Sequence, residues 1–432
     1  MIRRDSRIGW SEFPNRQNAH LASQLPRPKS GGGTIPDRAR DGVLTETTND
    51  YAGPILPGFR ETAWIQKSPY FHRAAKHGVR AYDLYNHMLM PGLYTDPVDE
   101  YWHLVNHVTL WDVGVERQVE IDGPDGFEFM QLLTPRDMQK CAVGECKYVL
   151  LTTPDGGIVN DPVLLRLGEK HFWLSLSDWD VIFWCKGVAV NAGLDVIVRE
   201  PDVSPLQLQG PKSKDVMVAL FGEEILDLEY YHLTETQLDG IPLVITRTGW
   251  SAERGYELYL RDSKFGEKLW DKVMSAGAKY DIRPIAPSEV RRIEAGILNY
   301  SSDIMLDNNP YEVGLGWTVD EDKTADYLGK AALGRIKKEG VKRKLVGIEV
   351  EGAPLGAWIP DYWDVHADGR KVGHVTSLTY SPRLEKNIGY ALLGIDHAKI
   401  GTRLRVSTTD GTRGATVVKK PFVDPKKDIP KS

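Results

Sequence analysis

Two carboxylates set among aromatic residues have the types and spacing to do chemistry in this chain. Asp161 lies in Gly156-Gly157-Ile158-Val159-Asn160-Asp161-Pro162, at the start of a strand. Glu257 lies in Gly255-Tyr256-Glu257-Leu258-Tyr259, on a later strand that follows Arg247-Thr248-Gly249-Trp250. Carboxylates accept strongly from N–H donors, and aromatic faces sandwich flat rings. Together they suit a flat, amide-rich heterocycle such as a pterin.

The elements that must hold these groups read as mixed α and β. Val119-Glu120-Ile121 runs into the turn at Gly123-Pro124, and residues 125–133 have helical spacing of apolar positions. Residues 149–152 and 163–167 flank Pro154-Asp155-Gly156-Gly157 as a hairpin. Phe172-Trp173-Leu174-Ser175-Leu176 is a further strand, with Asp178 or Asp180 able to cap the next helix. The unit then recurs: a strand at 206–209, a helix through 216–220, strands at 243–247 and 256–260, and a helix at 266–276. Helices alternating with hairpins predict an α+β fold of two ferredoxin-like mixed α/β layers, not a doubly wound sheet. After about residue 341 short strands separated by Gly, Asp and Pro turns predict a small β-barrel or sandwich. The expected division is an arm over 1–60, an α+β region over 61–340 and a barrel over 341–432.

The arm contains Pro26, Pro28, Gly31-Gly32-Gly33 and Pro36 without a sustained period, and reads as an extended segment ordered only by docking. It lacks the apolar core of a secretory signal. Arg3, Arg4 and Arg7 resemble a transit peptide, against which Asp5 and Glu12 count. A chain of 432 residues is too long for one ordinary core. Its net charge of −6, from 54 basic and 60 acidic residues, argues against a nucleic-acid partner. No run approaches the roughly 18 apolar residues that cross a bilayer, so no membrane partner is expected. Three cysteines, Cys141, Cys146 and Cys185, make a disulfide framework improbable and point to a reducing cytoplasm. With no H-E-x-x-H or C-x-x-C no metal site is expected, and the missing G-x-G-x-x-G and P-loop remove the usual nucleotide-binding devices.

Further strings extend the pattern. They include Tyr85-Asn86-His87-Met88-Leu89, Trp111-Asp112-Val113-Gly114-Val115-Glu116-Arg117-Gln118, Gln209-Gly210-Pro211-Lys212, Arg292-Ile293-Glu294-Ala295-Gly296 and Tyr380-Ser381-Pro382-Arg383-Leu384. From about residue 65 to 425 the chain resembles the aminomethyltransferase (glycine-cleavage T-protein) superfamily, and especially its dimethylsulfoniopropionate-demethylase branch. The resemblance implies a three-domain, ring-like arrangement and tetrahydrofolate as methyl acceptor. It places the catalytic, folate-contacting aspartate at Asp161, with Tyr148, Glu257, Tyr259 and Arg292 as further folate ligands. Trp250, Tyr85, His87 and Trp179 fall on the substrate side. The pterin N5 would be the nucleophile, and the partners would be tetrahydrofolate and a small methyl donor bearing a carboxylate. Whether the chain pairs as a homodimer is left open.

The donor follows from leaving-group chemistry. A sulfonium leaves as a neutral thioether and needs only an aromatic face, whereas a methyl ether leaves as an oxyanion and needs a proton donor such as His87, His103, His107 or Tyr85. Trp179 stands where the sulfonium demethylases carry a small residue, and Trp102, Trp111, Trp173, Trp184 and Trp250 add flat surface. These residues favour, narrowly, a methoxyaromatic acid, with dimethylsulfoniopropionate as the alternative. Further alternatives are a true aminomethyltransferase, against which Gly249-Trp250-Ser251-Ala252-Glu253 counts, and a non-catalytic folate-binding protein. The folate domain of a flavin-dependent N-demethylase is a third, lacking here its flavin domain.

Overall fold

The computed structural model describes residues 62–356, 359 and 361–432, so the arm expected over 1–60 lies outside the described residues. Two sheets face one another across a shared core. One has six strands in the order Leu233–Leu238, Ile241–Thr246, Gly255–Leu260, Ser204–Gln209, Val108–Asp112 and Ile282–Pro284, antiparallel except for the last pair. The other has five antiparallel strands in the order Ile197–Arg199, Gln118–Asp122, Phe172–Ser175, Val163–Arg166 and Cys146–Tyr148. Each sheet has helices on its outer face: Ser213–Phe221 and Gly266–Gly277 on the first, Gly126–Leu133 and Val181–Ala192 on the second. These are the two mixed α/β layers expected from the sequence.

The period-two alternation of a strand decides which side chains meet between the sheets. Along Gly255–Leu260, Tyr256, Leu258 and Leu260 point into the helix-covered core, while Glu257 and Tyr259 point toward the other sheet. Tyr259 there packs on Trp173, 6.4 Å between ring centroids. All six residues of this strand are buried, so Glu257 is held in the interior on both sides.

The hairpin before Asp161 differs from its expected form. Leu151–Thr152 pairs with Ile158–Asn160, but Val163–Arg166 leaves that ribbon and pairs with Cys146–Tyr148. The break falls at Asp161-Pro162, where proline has no N–H to continue a ladder. Asp161 is thereby lifted out of both ladders, its carboxylate free to turn inward.

The remaining strands close a six-stranded barrel in the order Arg343–Val350, Lys386–Gly394, Arg370–Ser381, Trp363–Ala367, Arg403–Thr408 and Gly411–Val418. It joins the α/β body through the short helix Glu289–Glu294, every residue of which is buried. Arg292 is the hub of that joint. It donates to Glu289, to Asp303 at 2.5 Å, to the Ser377 hydroxyl of the barrel at 2.8 Å and to the Ile297 carbonyl at 3.2 Å. Removing one partner of a buried ion pair strands the others without water. Arg292→Ala should lower the free energy of unfolding by about 3–5 kcal/mol in a denaturant titration; a loss under about 1 kcal/mol would show that the joint does not depend on it.

Candidate active site

A cavity of about 750 Å³ opens between the two sheets, the loops over residues 295–317 and the C-terminal segment. Carboxylates occupy two of its walls. On one, Asp161 accepts from the Tyr148 hydroxyl at 2.8 Å and from the Ser177 hydroxyl at 2.5 Å. Burial pushes its carboxyl up to about 6, and the two hydroxyl donors partly oppose that rise. Burial, reinforced by the Asp161 charge, raises the Tyr148 phenol well above its ordinary value, so Tyr148 keeps its proton and donates.

On the other wall, Glu257 Oε2 accepts from Thr248 at 2.5 Å, Tyr259 at 2.9 Å and Thr246 at 3.3 Å, while Oε1 accepts from Gln207 Nε2 at 2.6 Å. Glu116 stands beside it, accepting from Ser175 at 3.2 Å and from the same Gln207 Nε2 at 3.3 Å. Burial raises the Glu257 carboxyl despite these donors. Gln207 is itself buried, yet its Oε1 has no partner. Such an acceptor is costly unless a ligand supplies an N–H.

Aromatic rings line much of the rest. Tyr85, Tyr231, Trp250, Tyr300 and Trp317 line it together with Tyr148, which stacks on Trp317 at 6.0 Å. The loop carrying Trp250 is pinned through Gln209: its amide lies against Gly249 and Gly255, where any Cβ would collide with it, and Ser251 donates to it at 2.5 Å. This is the physical need for glycine in both motifs. Lys420 and Lys427 line the cavity from the C-terminal segment. Burial lowers the Lys420 ammonium to about 8, and it lies over the Tyr390 ring at 5.0 Å.

The structure thus brings Asp161, Tyr148, Glu257, Tyr85 and Trp250 to one cavity. Tyr259 stands behind Glu257 as its hydroxyl donor, outside the lining. Arg292 does not reach the cavity: it lies behind Trp250, 5.7 Å from that ring, with its guanidinium spent on the barrel joint. His87 occupies the exposed turn of the Ala81–Tyr85/Met88–Leu93 hairpin and meets Asp180 at 3.1 Å. Trp179 is 52% exposed and touches the cavity only through the edge of Tyr300 at 6.3 Å.

Glu116, Gln207, Ser177 and Lys420 were not singled out from the sequence. Gln207 and Gln209 alternate with leucines, a pattern that looks the same whether the polar side meets water or protein, and here Gln207 turns to Glu116 and Glu257. Away from the cavity, His103, His107 and Asp281 could each offer a metal-ligand atom. Their two rings stack nearly parallel at 4.7 Å, however, and His107 Nδ1 already faces Lys212 Nζ at 2.9 Å. Among the described residues, no helix is long and apolar enough to cross a membrane.

The model of the GCVT N-terminal domain matches residues 70–323, and that of the glycine cleavage T-protein C-terminal barrel domain matches residues 343–424. A dimethylsulfoniopropionate demethylase of Ruegeria pomeroyi is 39% identical over 356 residues, covering 82% of this chain and 96% of that protein. An aminomethyltransferase of Symbiobacterium thermophilum is 32% identical over 371 residues, covering 83% and 97%. The crystal structure of the glycine cleavage system aminomethyltransferase T from Bartonella henselae shares the fold, with a TM-score of 0.76 at 23% identity over 84% of this chain and 99% of that one. The chain belongs to the glycine-cleavage T-protein (aminomethyltransferase) family. It is a one-carbon transferase with tetrahydrofolate as the one-carbon acceptor, as the sequence implied.

The hydrogen bonds around Asp161 have a measurable consequence. In a carbon-13 NMR titration its side-chain carboxyl should titrate near 6. Tyr148→Phe removes one of the two donors that oppose burial, so the midpoint should move up by as much as about one pH unit. An unmoved midpoint would show that Tyr148 does not tune Asp161.

Proposed function

We propose that this chain demethylates a small, carboxylate-bearing sulfonium of the dimethylsulfoniopropionate type, passing the methyl group to tetrahydrofolate. The observation that carries the reading is a cavity walled by carboxylates and aromatic rings, which suits a cationic donor beside an amide-rich acceptor. The 39% identity to a dimethylsulfoniopropionate demethylase over nearly its whole length supports it. The narrow preference for a methoxyaromatic acid yields to this second donor. Trp179, which motivated that preference, stands outside the cavity lining. Three of the four groups that would protonate a departing oxyanion are engaged elsewhere, His87 with Asp180, His103 with the Asp281 carbonyl and His107 with Lys212, which leaves Tyr85 alone of them in the cavity lining. A sulfonium needs none of them.

The residues fit the folate. Glu257 and the unpartnered Gln207 Oε1 form an acceptor wall for the N–H edge of a pterin. Tetrahydrofolate supplies the N5 nucleophile when bound. Asp161, ionised above about pH 6 and steered by Tyr148 and Ser177, takes the proton that N5 gives up. Trp250 and Tyr85 hold the sulfonium against an aromatic face, and the Lys420 ammonium meets the donor carboxylate. The aromatic and apolar lining limits water beside the methyl group. The free, buried cysteines suit a reducing compartment such as the cytoplasm. The working domain division is the one expected from the sequence, 61–340 and 341–432.

Protein incubated with tetrahydrofolate should yield 5-methyltetrahydrofolate from dimethylsulfoniopropionate and none from a methoxybenzoate panel, read by mass spectrometry. The reverse pattern would reinstate the aryl ether. Asp161→Asn should cut kcat by about 100-fold or more while tetrahydrofolate binding stays within a few-fold. In the unaltered protein kcat/KM should fall as pH drops through about 6, the carboxylate being the active form; a flat acid limb would remove Asp161 from proton transfer.

A further inference from the structure

The wall around Glu257 holds more acceptors than one carboxylate provides. Glu116 follows the strand Val108–Asp112 and reaches the cavity half-buried. One amide group, Gln207 Nε2, bridges it to Glu257, at 3.3 Å on one side and 2.6 Å on the other. The same residue keeps its Oε1 buried without a partner. Two carboxylates bridged by one NH₂ inside a protein cavity repel, and the usual resolution is that one of them keeps a proton. Burial and then the Glu257 charge raise the Glu116 carboxyl well above its ordinary value, the Ser175 hydroxyl opposing.

We propose that Glu116 and Gln207 read the pterin together with Glu257, and that the two carboxylates share one proton in the ligand-free protein, which passes to solvent when tetrahydrofolate binds. The pterin edge carries several N–H donors on neighbouring atoms. Donated to the wall, they supply each carboxylate with the hydrogen bonds that stabilise its charged form, and they satisfy Gln207 Oε1. The shared proton then has no site left and is taken up by buffer. No covalent bond changes. Glu116 and Gln207 are thus specificity-determining residues, favouring a ligand edge of adjacent donors over one of mixed donors and acceptors. The inference rests on the pterin placement proposed above.

The test is anaerobic calorimetry of tetrahydrofolate binding near neutral pH in two buffers of different ionisation enthalpy. The unaltered protein should release about one proton per ligand bound, so the heats should differ between buffers. Glu116→Gln should reduce the release to near zero and weaken binding about ten-fold, the usual scale for losing one charge-assisted contact. Buffer-independent heats in the unaltered protein, which need no variant to interpret, would overturn the shared proton. So would an undiminished release in Glu116→Gln, and either result leaves the pterin placement standing. Glu257→Gln binding tetrahydrofolate as tightly as the unaltered protein would overturn the placement itself.

Discussion

The cost of holding carboxylates out of bulk water governs how the rest of this structure is arranged. Glu257 sits on a strand buried on both faces, Glu116 beside it, and Asp161 on the opposite wall. Each would be ruinous as an isolated charge, and each is held by donors contributed from other elements. Thr246 and Thr248 come from the end of the strand next to Glu257, Gln207 from the strand on its other side, and Ser175 from the facing sheet. The two sheets therefore do more than share a hydrophobic core. They bring together hydroxyl and amide donors that no single sheet could collect around one cavity.

The same logic explains why the barrel bears on the site although its strands contribute nothing to the lining. Its contact with the α/β body runs through Arg291, Arg292 and Glu294 on one short helix, meeting Glu253, Asp303, Ser377, Ser381 and Tyr101. This is a polar seam in a place without water, and its geometry fixes where Lys420 and Trp250 stand relative to the sheets. Breaking it would move a wall of the cavity and not merely loosen a domain. A seam of this kind also fixes one relative placement, since sliding it by one residue would leave several charges unpaired.

Much of this was legible in the sequence, for identifiable reasons. Alternating apolar residues with turn signals specified the strands, and the Gly, Asp and Pro turns after residue 341 specified the barrel. Asp161 and Glu257 stood out because carboxylates set among aromatic residues suit a flat, amide-rich ring. What failed depended on the third dimension. Arg292 sits in a string typical of the family, yet whether a guanidinium faces a ligand or a carboxylate pair depends on the helix that carries it and on Asp303. Trp179 and His87 are near the cavity in sequence terms, but a hairpin turn and a loop edge place them outside its lining. Gln207 was hidden by its own alternation, which looks the same whether the polar face meets water or another sheet. The hairpin around Gly156-Gly157 was foreseen, while the change of sheet at Pro162 that frees Asp161 was not.

The central claim is that methyl transfer occurs within one cavity, directly from donor to acceptor, with the protein supplying only placement and proton handling. A single turnover with stoichiometric protein, tetrahydrofolate and dimethylsulfoniopropionate labelled with carbon-13 in its S-methyl groups tests this most directly, followed by carbon-13 NMR. The account expects one labelled methyl on the folate N5 and the other retained on the thioether product, with no label on the protein. Label recovered as methanol or on a side chain would contradict it, as would label that never leaves the sulfonium.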